Sequence, residues 1–249
     1  MLMKNFTVFL FLLTSLNVLF AQESLTTFGF TFKPMISGGF INESTEVQTK
    51  DGVEFSVPKM FGYNLGMVVR KGFNKTFSLE TGITHTQRNF SLVVNDADRD
   101  FSLNQEFGVV GYEIPVLGLV YIQLDKKIFM DASFGGGVDL FPSDVAIFSD
   151  ANQVIMEGRR NSWIQAFLSA NIGWEYRTEK SGIFYIGGTF HRPFAPIYGF
   201  LMEYDYDSQD QSIVPVRMLE VVNGNYLTLD FRYFFHEDPE KRMKRKKKN

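Results

Sequence analysis

The sequence predicts an all-β protein: an eight-stranded antiparallel up-and-down transmembrane β-barrel of the outer-membrane type. Three observations predict it. Apolar and polar residues alternate with period two in segment after segment. The less apolar face of those segments is rich in glycine, serine and asparagine rather than in the lysine and glutamate of a solvated face. The connections alternate between short and long, as in barrels with short periplasmic turns and long extracellular loops.

The N-terminus comes first. "MLMKNFTVFLFLLTSLNVLFAQ" carries one charge, Lys4. Its apolar run from Phe6 to Phe20 is shorter than the ~20 residues of a spanning helix. The run stops at Ala21, a small residue suited to signal-peptidase cleavage. Residues 1–21 therefore read as a secretory signal peptide, residues 22–235 as one barrel domain and residues 236–249 as a basic periplasmic tail. The chain has no cysteine. That excludes disulfides, thiolate metal sites and a lipid-modified N-terminal cysteine.

The formal charge of −3 hides an asymmetry. Residues 236–249 hold seven basic and three acidic side chains. Without them and Lys4, the body has 17 basic and 25 acidic residues, a charge of −8. An acidic body argues against nucleic acid as a partner.

Alternation places strands near 26–38, 59–71, 76–93, 103–123, 127–141, 162–177, 182–198 and 226–235. The clearest is "SWIQAFLSANIGWEYR". Ile164, Ala166, Leu168, Ala170, Ile172, Trp174 and Tyr176 share one face, and Phe167 is the exception on the other. "FGYNLGMVVR" and "YLTLDFRYFF" repeat the scheme. In the fourth strand, apolar parity flips between Tyr112, Ile114, Val116 and Leu117, Leu119, Tyr121, which predicts a bulge at Pro115. Long connections are expected at 39–58, 142–161 and 199–225, with a shorter one at 94–102. Within the last, Asn223–Gly224 is a hairpin signal, and 212–222 reads as an extension pairing rather than a ninth spanning strand. Eight strands put both termini in the periplasm, with the protein in the cell outer membrane. Phe77, Tyr121, Trp174, Tyr176, Tyr233 and Phe235 lie near short-turn ends, as an interfacial girdle should.

Small residues on the inner face suit a narrow barrel interior, and the charges there have mixed sign. Arg70, Glu80, Arg88, Glu113, Asp131, Glu175, Asp230 and Arg232 are the candidate lumen charge network. Glu80, Glu113, Asp131 and Glu175 need partners among Arg70, Arg88 and Arg232, because a lone buried charge is costly. With Phe129 and Phe167 also pointing inward, the expected lumen is plugged.

At this point the residues resemble a family. "KMFGYNLGMVVRKGFNKTFSLETGI", "VVGYEIPVLGLVYI" and "FMDASFGGGVDL" look like the PorT-like outer-membrane β-barrel family of Bacteroidota, and "FAQ" at the signal junction is similar too. The resemblance covers most of residues 26–235. It implies an eight-stranded barrel and, for some members, service in protein secretion and gliding machinery. Leu229, Phe231, Tyr233 and Phe235 resemble the C-terminal β-signal read by the barrel-insertion machinery. This chain departs from most barrels by continuing for fourteen residues beyond that aromatic.

Chemistry-bearing residues are few. The histidines are His85, His191 and His236. A hydrolase would need a serine–histidine pair on one face, and none is evident along the strands. Glu113 and Asp131 are the acids expected to approach His191. Glu203, Asp205, Asp207 and Asp210 in "EYDYDSQD" form a candidate cation loop, without the glycine and distal glutamate of an EF-hand. No catalytic residue and no cofactor is assigned. The sequence points to a non-enzymatic barrel that is a structural or interaction component through its loops and tail. An accessory of an outer-membrane secretion or assembly machinery and a lipid-modifying hydrolase are the alternatives. Expected partners are outer-membrane lipid, the insertion machinery, and a periplasmic or outer-membrane protein.

Overall fold

The computed structural model describes residues 26–36, 47–149, 153–205 and 214–236. Residues 1–21, read from the sequence as a signal peptide, and residues 237–249 lie outside them. In chain order the strands are β1 (Thr26–Ile36), β2 (Gln48–Lys50), β3 (Val53–Ser56), β4 (Tyr63–Gly72), β5 (Phe77–Asp96), β6 (Phe101–Gln123) and β7 (Ile128–Leu140). They continue with β8 (Val145–Phe148), β9 (Val154–Arg160), β10 (Ile164–Arg177), β11 (Ile183–Pro193), β12 (Tyr198–Tyr204), β13 (Val216–Val222) and β14 (Tyr226–Phe234).

Eight of these close a ring. Its order is β4-β1-β14-β11-β10-β7-β6-β5, and β5 returns to β4, with every pair antiparallel. Closure leaves no unpaired edge where lipid would meet it. The alternation decides the faces. Phe28, Phe30, Leu65, Met67, Ile172, Trp174 and Phe231 are exposed on the outside, while Thr31, Arg70, Glu80, Asp131, Glu175, Asp230 and Arg232 are buried inside. This is an eight-stranded barrel of the outer-membrane type.

Glycines make the inner packing possible. Gly173 and Gly187 are cross-strand neighbours of β10 and β11. A Cβ at either would collide with the Tyr185 hydroxyl, so the two glycines leave the room that the Tyr185 ring occupies. At the turn before β11, Gly182 sits at φ +87°, a left-handed conformation that favours glycine.

Three expectations are corrected. The seventh spanning strand does not run to 198. β11 ends at Pro193, and after Pro196 the chain enters β12 in a different sheet, since neither proline can donate to a ladder. There is no bulge at Pro115. One register joins β5 to β6 from Phe77↔Val120 to Asp96↔Phe101, and only the pairs opposite Ile114 and Pro115 are missing. The Thr81 hydroxyl donates to the Pro115 carbonyl at 2.7 Å instead. The apparent flip arises because Leu117, Leu119 and Tyr121 all point inward and are buried. Tyr121 therefore belongs to the lumen and not to the girdle. The belt at the short-turn end is built from rings such as Phe30–Phe235 (5.5 Å), Tyr233–Phe235 (5.4 Å) and Phe184–Tyr233 (5.2 Å).

The long connections are not plain loops. β2 and β3 add to the outer half of the β5–β6 hairpin, giving β2-β3-β5-β6 beyond the ring. The connection 142–161 holds β8 and β9, and the connection 199–225 holds most of β12 and all of β13. These four form a second sheet, β13-β12-β9-β8. β13 pairs with β12 and does not span, in line with the reading of 212–222; residues 212 and 213 lie outside the described residues. Val53, Phe55, Leu92, Val94 and Val109 of the first sheet share one buried core with Met156, Tyr198, Phe200, Met202 and Val216 of the second. Burying a large apolar side chain contributes ~1.5–3 kcal/mol, so this core holds the two sheets together as a cap over the long-loop end. Gln48 Nε2 bonds Glu220, and Lys50 Nζ donates to the Arg217 carbonyl at 3.1 Å, which ties β2 to β13.

Candidate functional site

The inner face carries two polar layers. The first lies toward the short turns. Arg70 on β4 and Glu80 on β5 are cross-strand partners. Arg70 Nη2 and Nε lie 2.8 and 3.1 Å from Glu80 Oε2, and Arg70 Nη1 pairs with Glu175. Arg232 Nη1 is 2.6 Å from Glu80 Oε1, and its Nη2 is 2.6 Å from Asp230 Oδ2. Arg177, which is half-buried, reaches Glu175 Oε2 at 2.8 Å. Lys33 lies 3.7 Å from Asp230. The cations also stack: Arg70 over Phe234 at 4.0 Å, Arg232 over Tyr185 at 4.6 Å and Arg177 over Phe129 at 3.8 Å. Several hydrogen bonds per charge offset the desolvation that a buried ion pair must overcome.

Asp131 departs from the expected pairing. Its carboxylate lies beside Glu175, and both its oxygens are buried without a hydrogen-bond donor. Every nearby arginine is already turned toward Glu80, Glu175 or Asp230.

Above this layer, Asn171 joins β10, β11 and β14. Its Nδ2 donates to Thr189 Oγ1 at 2.9 Å and to Asp230 Oδ2 at 3.2 Å, and its Oδ1 accepts from the Tyr185 hydroxyl at 2.7 Å.

The second layer lies beneath the cap. Glu113 Oε1 accepts from Thr86 and Tyr226, each at 2.6 Å, and from Arg88 at 3.4 Å; its Oε2 accepts from Asn64 at 3.2 Å. His191 lies between two acids, with Nε2 3.0 Å from Asp139 Oδ2 and Nδ1 3.9 Å from Glu113 Oε2. Asp131, expected near it, belongs to the other layer. The imidazole is stacked on Tyr226 at 4.4 Å and 8°, and meets Phe167 at 4.2 Å on ring centroids. Phe167, the exception in its strand's pattern, is buried where Gly137 leaves space for it. Above the layer, Arg88 lies 5.5 Å from the Phe141 ring, which packs on Tyr198 in the cap.

Among the described residues, this second layer holds the cluster that could bind a metal or form a triad. Glu113, Asp139 and His191 present ligand atoms within 4.8 Å of one another. Arg88 is 3.4 Å from Glu113 and 3.9 Å from Asp139, so it already supplies the positive charge that a cation would bring. The expectation that no serine shares a face with a histidine is corrected: Ser169 is the cross-strand partner of His191, and both are buried inside. Yet the ring nitrogens approach Asp139 and Glu113, and the ring is held between two aromatic rings.

The remaining candidates lie apart. His85 faces outward in an aromatic row with Tyr63 and Tyr112, at 6.4 and 5.6 Å. Glu203 on β12 is bonded by Arg217 of β13 at 2.9 and 3.2 Å. The Asp205 backbone N–H donates to the Gln153 carbonyl, while Asp207 and Asp210 lie outside the described residues. Leu229 and Phe231 point outward, the Tyr233 hydroxyl donates to the Ser181 carbonyl at 2.9 Å, and Phe235 bonds the Phe28 carbonyl through its backbone N–H.

Asp139, Asn64, Asn171, Tyr185 and Tyr226 join these layers from outside the charge network that the sequence predicts. Inward parity is the signal that marks them: Asp139 shares it with Asp131, and Tyr226 with Asp230 and Arg232.

The chain matches no family model and no curated protein sequence. Its fold matches the crystal structure of the outer membrane protein OprG from Pseudomonas aeruginosa with a TM-score of 0.50. Identity is 13%, over 86% of this chain and 96% of that one. The outer membrane protein AlkL, solved by solid-state NMR in DMPC bilayers, aligns with a TM-score of 0.43 and 11% identity, over 87% and 93%. The closed ring and the OprG match define the class: an outer-membrane β-barrel.

Proposed function

We propose that this protein is a non-enzymatic interaction component of the outer membrane that works through its cap. One observation carries this reading: the long-loop end is closed by a two-sheet domain with a buried apolar core, and buried side chains fill the lumen beneath it. Eight strands leave an interior only wide enough for side chains, so the barrel serves as an anchor and the cap as the presented surface. The short turns and both termini face the periplasm in this reading, and the cap faces out. The strand motifs of the sequence support a PorT-like assignment, and with it a secretion assembly as one setting for such contacts.

The test has two measurements. Purified protein in planar bilayers should show no steady conductance. Photo-crosslinkers placed at exposed cap positions such as Leu219 should give discrete adducts on intact cells. Steady conductance with no adduct from any cap position would overturn the reading.

A further inference from the structure

β6 outruns its neighbour. From Phe101 to Val110 it pairs with β5 on one side. On the other side its pairing with β7 starts only at Tyr112, opposite Leu140. Phe141 turns into the core, and Pro142, lacking an N–H, cannot continue the ladder. The open side of residues 101–111 therefore has no backbone partner among the described residues. About every second residue there points an N–H and a C=O away from β5. β8, the matching edge of the second sheet, pairs with β9 alone.

Proteins normally blunt such an edge with lysine, proline, a bulge or a cover. Residues 101–111 contain no lysine, arginine or proline, and their register with β5 is unbroken. Phe101, Leu103 and Phe107, at odd positions of the strand, are only partly covered by the cap core. The exposed charges beside the edge are Asp98, Arg99, Asp100 and Glu106; Arg99 is paired with the buried Asp96 at 2.8 Å, which leaves the edge acidic.

We propose that this edge receives an extended segment of another protein by β-strand addition. The segment lies antiparallel to β6, in the lane that β7 leaves at Leu140. It is apolar at every second position, to complete the cover over Phe101, Leu103 and Phe107, and basic between, to meet the acids. About ten residues would span the edge, at ~3.4 Å per residue. A second copy in the same membrane does not fit. Antiparallel pairing of identical strands needs a twofold axis across them, which would turn one barrel upside down. The proposal rests on the interaction role of the cap.

The probe is a labelled peptide of alternating valine and lysine, titrated against the full-length barrel in zwitterionic nanodiscs. Saturable binding is expected, with slowed hydrogen exchange at residues 101–111. N-methylation of one alternate set of peptide amides should weaken binding by about an order of magnitude, because only that set bonds β6. N-methylation of the other set should not. Glu106→Lys, a change at an exposed side chain, should weaken binding several-fold. No saturable binding, equal binding by both methylated peptides, or protection elsewhere on the barrel would overturn the proposal. Adducts from Leu219 on cells, with no peptide on β6, would remove the edge and leave the interaction role of the cap standing.

Discussion

Arg70 and Glu80 face each other across the β4–β5 ladder, and the guanidinium reaches one carboxylate oxygen twice, at 2.8 and 3.1 Å. Both side chains are buried. Removing one member of a buried pair leaves the other uncompensated, at a cost of ~3–5 kcal/mol. Glu80 would keep Arg232, and Glu175 would keep Arg177. Arg70→Ala should therefore lower barrel stability by about 3 kcal/mol, the bottom of that range. Arg88→Ala should cost less, because Glu113 keeps Thr86, Tyr226 and Asn64 as donors. Urea unfolding in detergent, followed by gel mobility without boiling, ranks the two. If neither changes the midpoint, the lumen charges do not hold the barrel together.

Asp131 makes the opposite prediction. Its buried oxygens have no donor, and Glu175 is its neighbour. Asp131→Asn keeps the shape, cannot carry a charge beside Glu175, and places there an amide that can donate to it. A buried polar group without a partner costs ~1–3 kcal/mol, so this substitution should raise the unfolding midpoint by an amount in that range. A lower midpoint would mean that the carboxylate has a partner that the geometry conceals.

The spanning strands were legible because lipid imposes an apolar residue at every second position, and closure imposes an even count. Parity also held the lumen residues that were missed, such as Asp139 and Tyr226, but neither stands out by residue type alone. An aromatic near a short turn suits both a girdle and a lumen plug, so residue type and position alone do not place Tyr121. Only Leu117 and Leu119 beside it reveal that this part of the inner wall is apolar. The cap was not legible. β3 and β8 are four residues long, too short to show a period. Its core draws on Val53, Leu92, Met156, Phe200 and Val216, which meet only when distant segments fold together.

The C-terminal segment gives a third prediction. β14 ends at Phe234, and the Phe235 N–H bonds the Phe28 carbonyl, so the ring is complete without anything that follows. Deleting residues 237–249 should leave membrane insertion and heat-modifiable gel migration intact. Failure to insert would assign the basic segment to biogenesis. Substituting Phe231 and Tyr233 by serine should instead impair insertion, if these outward side chains form the β-signal.

Asp96 sets a pH limit on the cap. It lies at the outer end of β5, beyond the stretch of the barrel that pairs with β4. Burial alone would raise its carboxyl pKa. The Arg99 guanidinium at 2.8 Å and the backbone N–H groups of Asp98 and Arg99, at 3.1 and 3.3 Å, outweigh that and hold it below the ordinary 3.8. The Tyr204 hydroxyl adds a further bond to the same carboxyl, and burial together with this acid beside it raises the pKa of Tyr204. Tyr204 also stacks on Phe101 at 4.9 Å, so the cluster links the two sheets. A carboxyl whose pKa is lower folded than unfolded stabilises the fold at pH values above the unfolded value. That contribution is lost as pH falls through the folded one. Cap amides around Tyr204 should thus keep their hydrogen-exchange protection at neutral pH and lose it progressively below pH ~4, while the barrel amides do not. Asp96→Asn should show weaker protection at neutral pH and little further loss on acidification. A variant that keeps the full acid dependence would place the titrating group elsewhere.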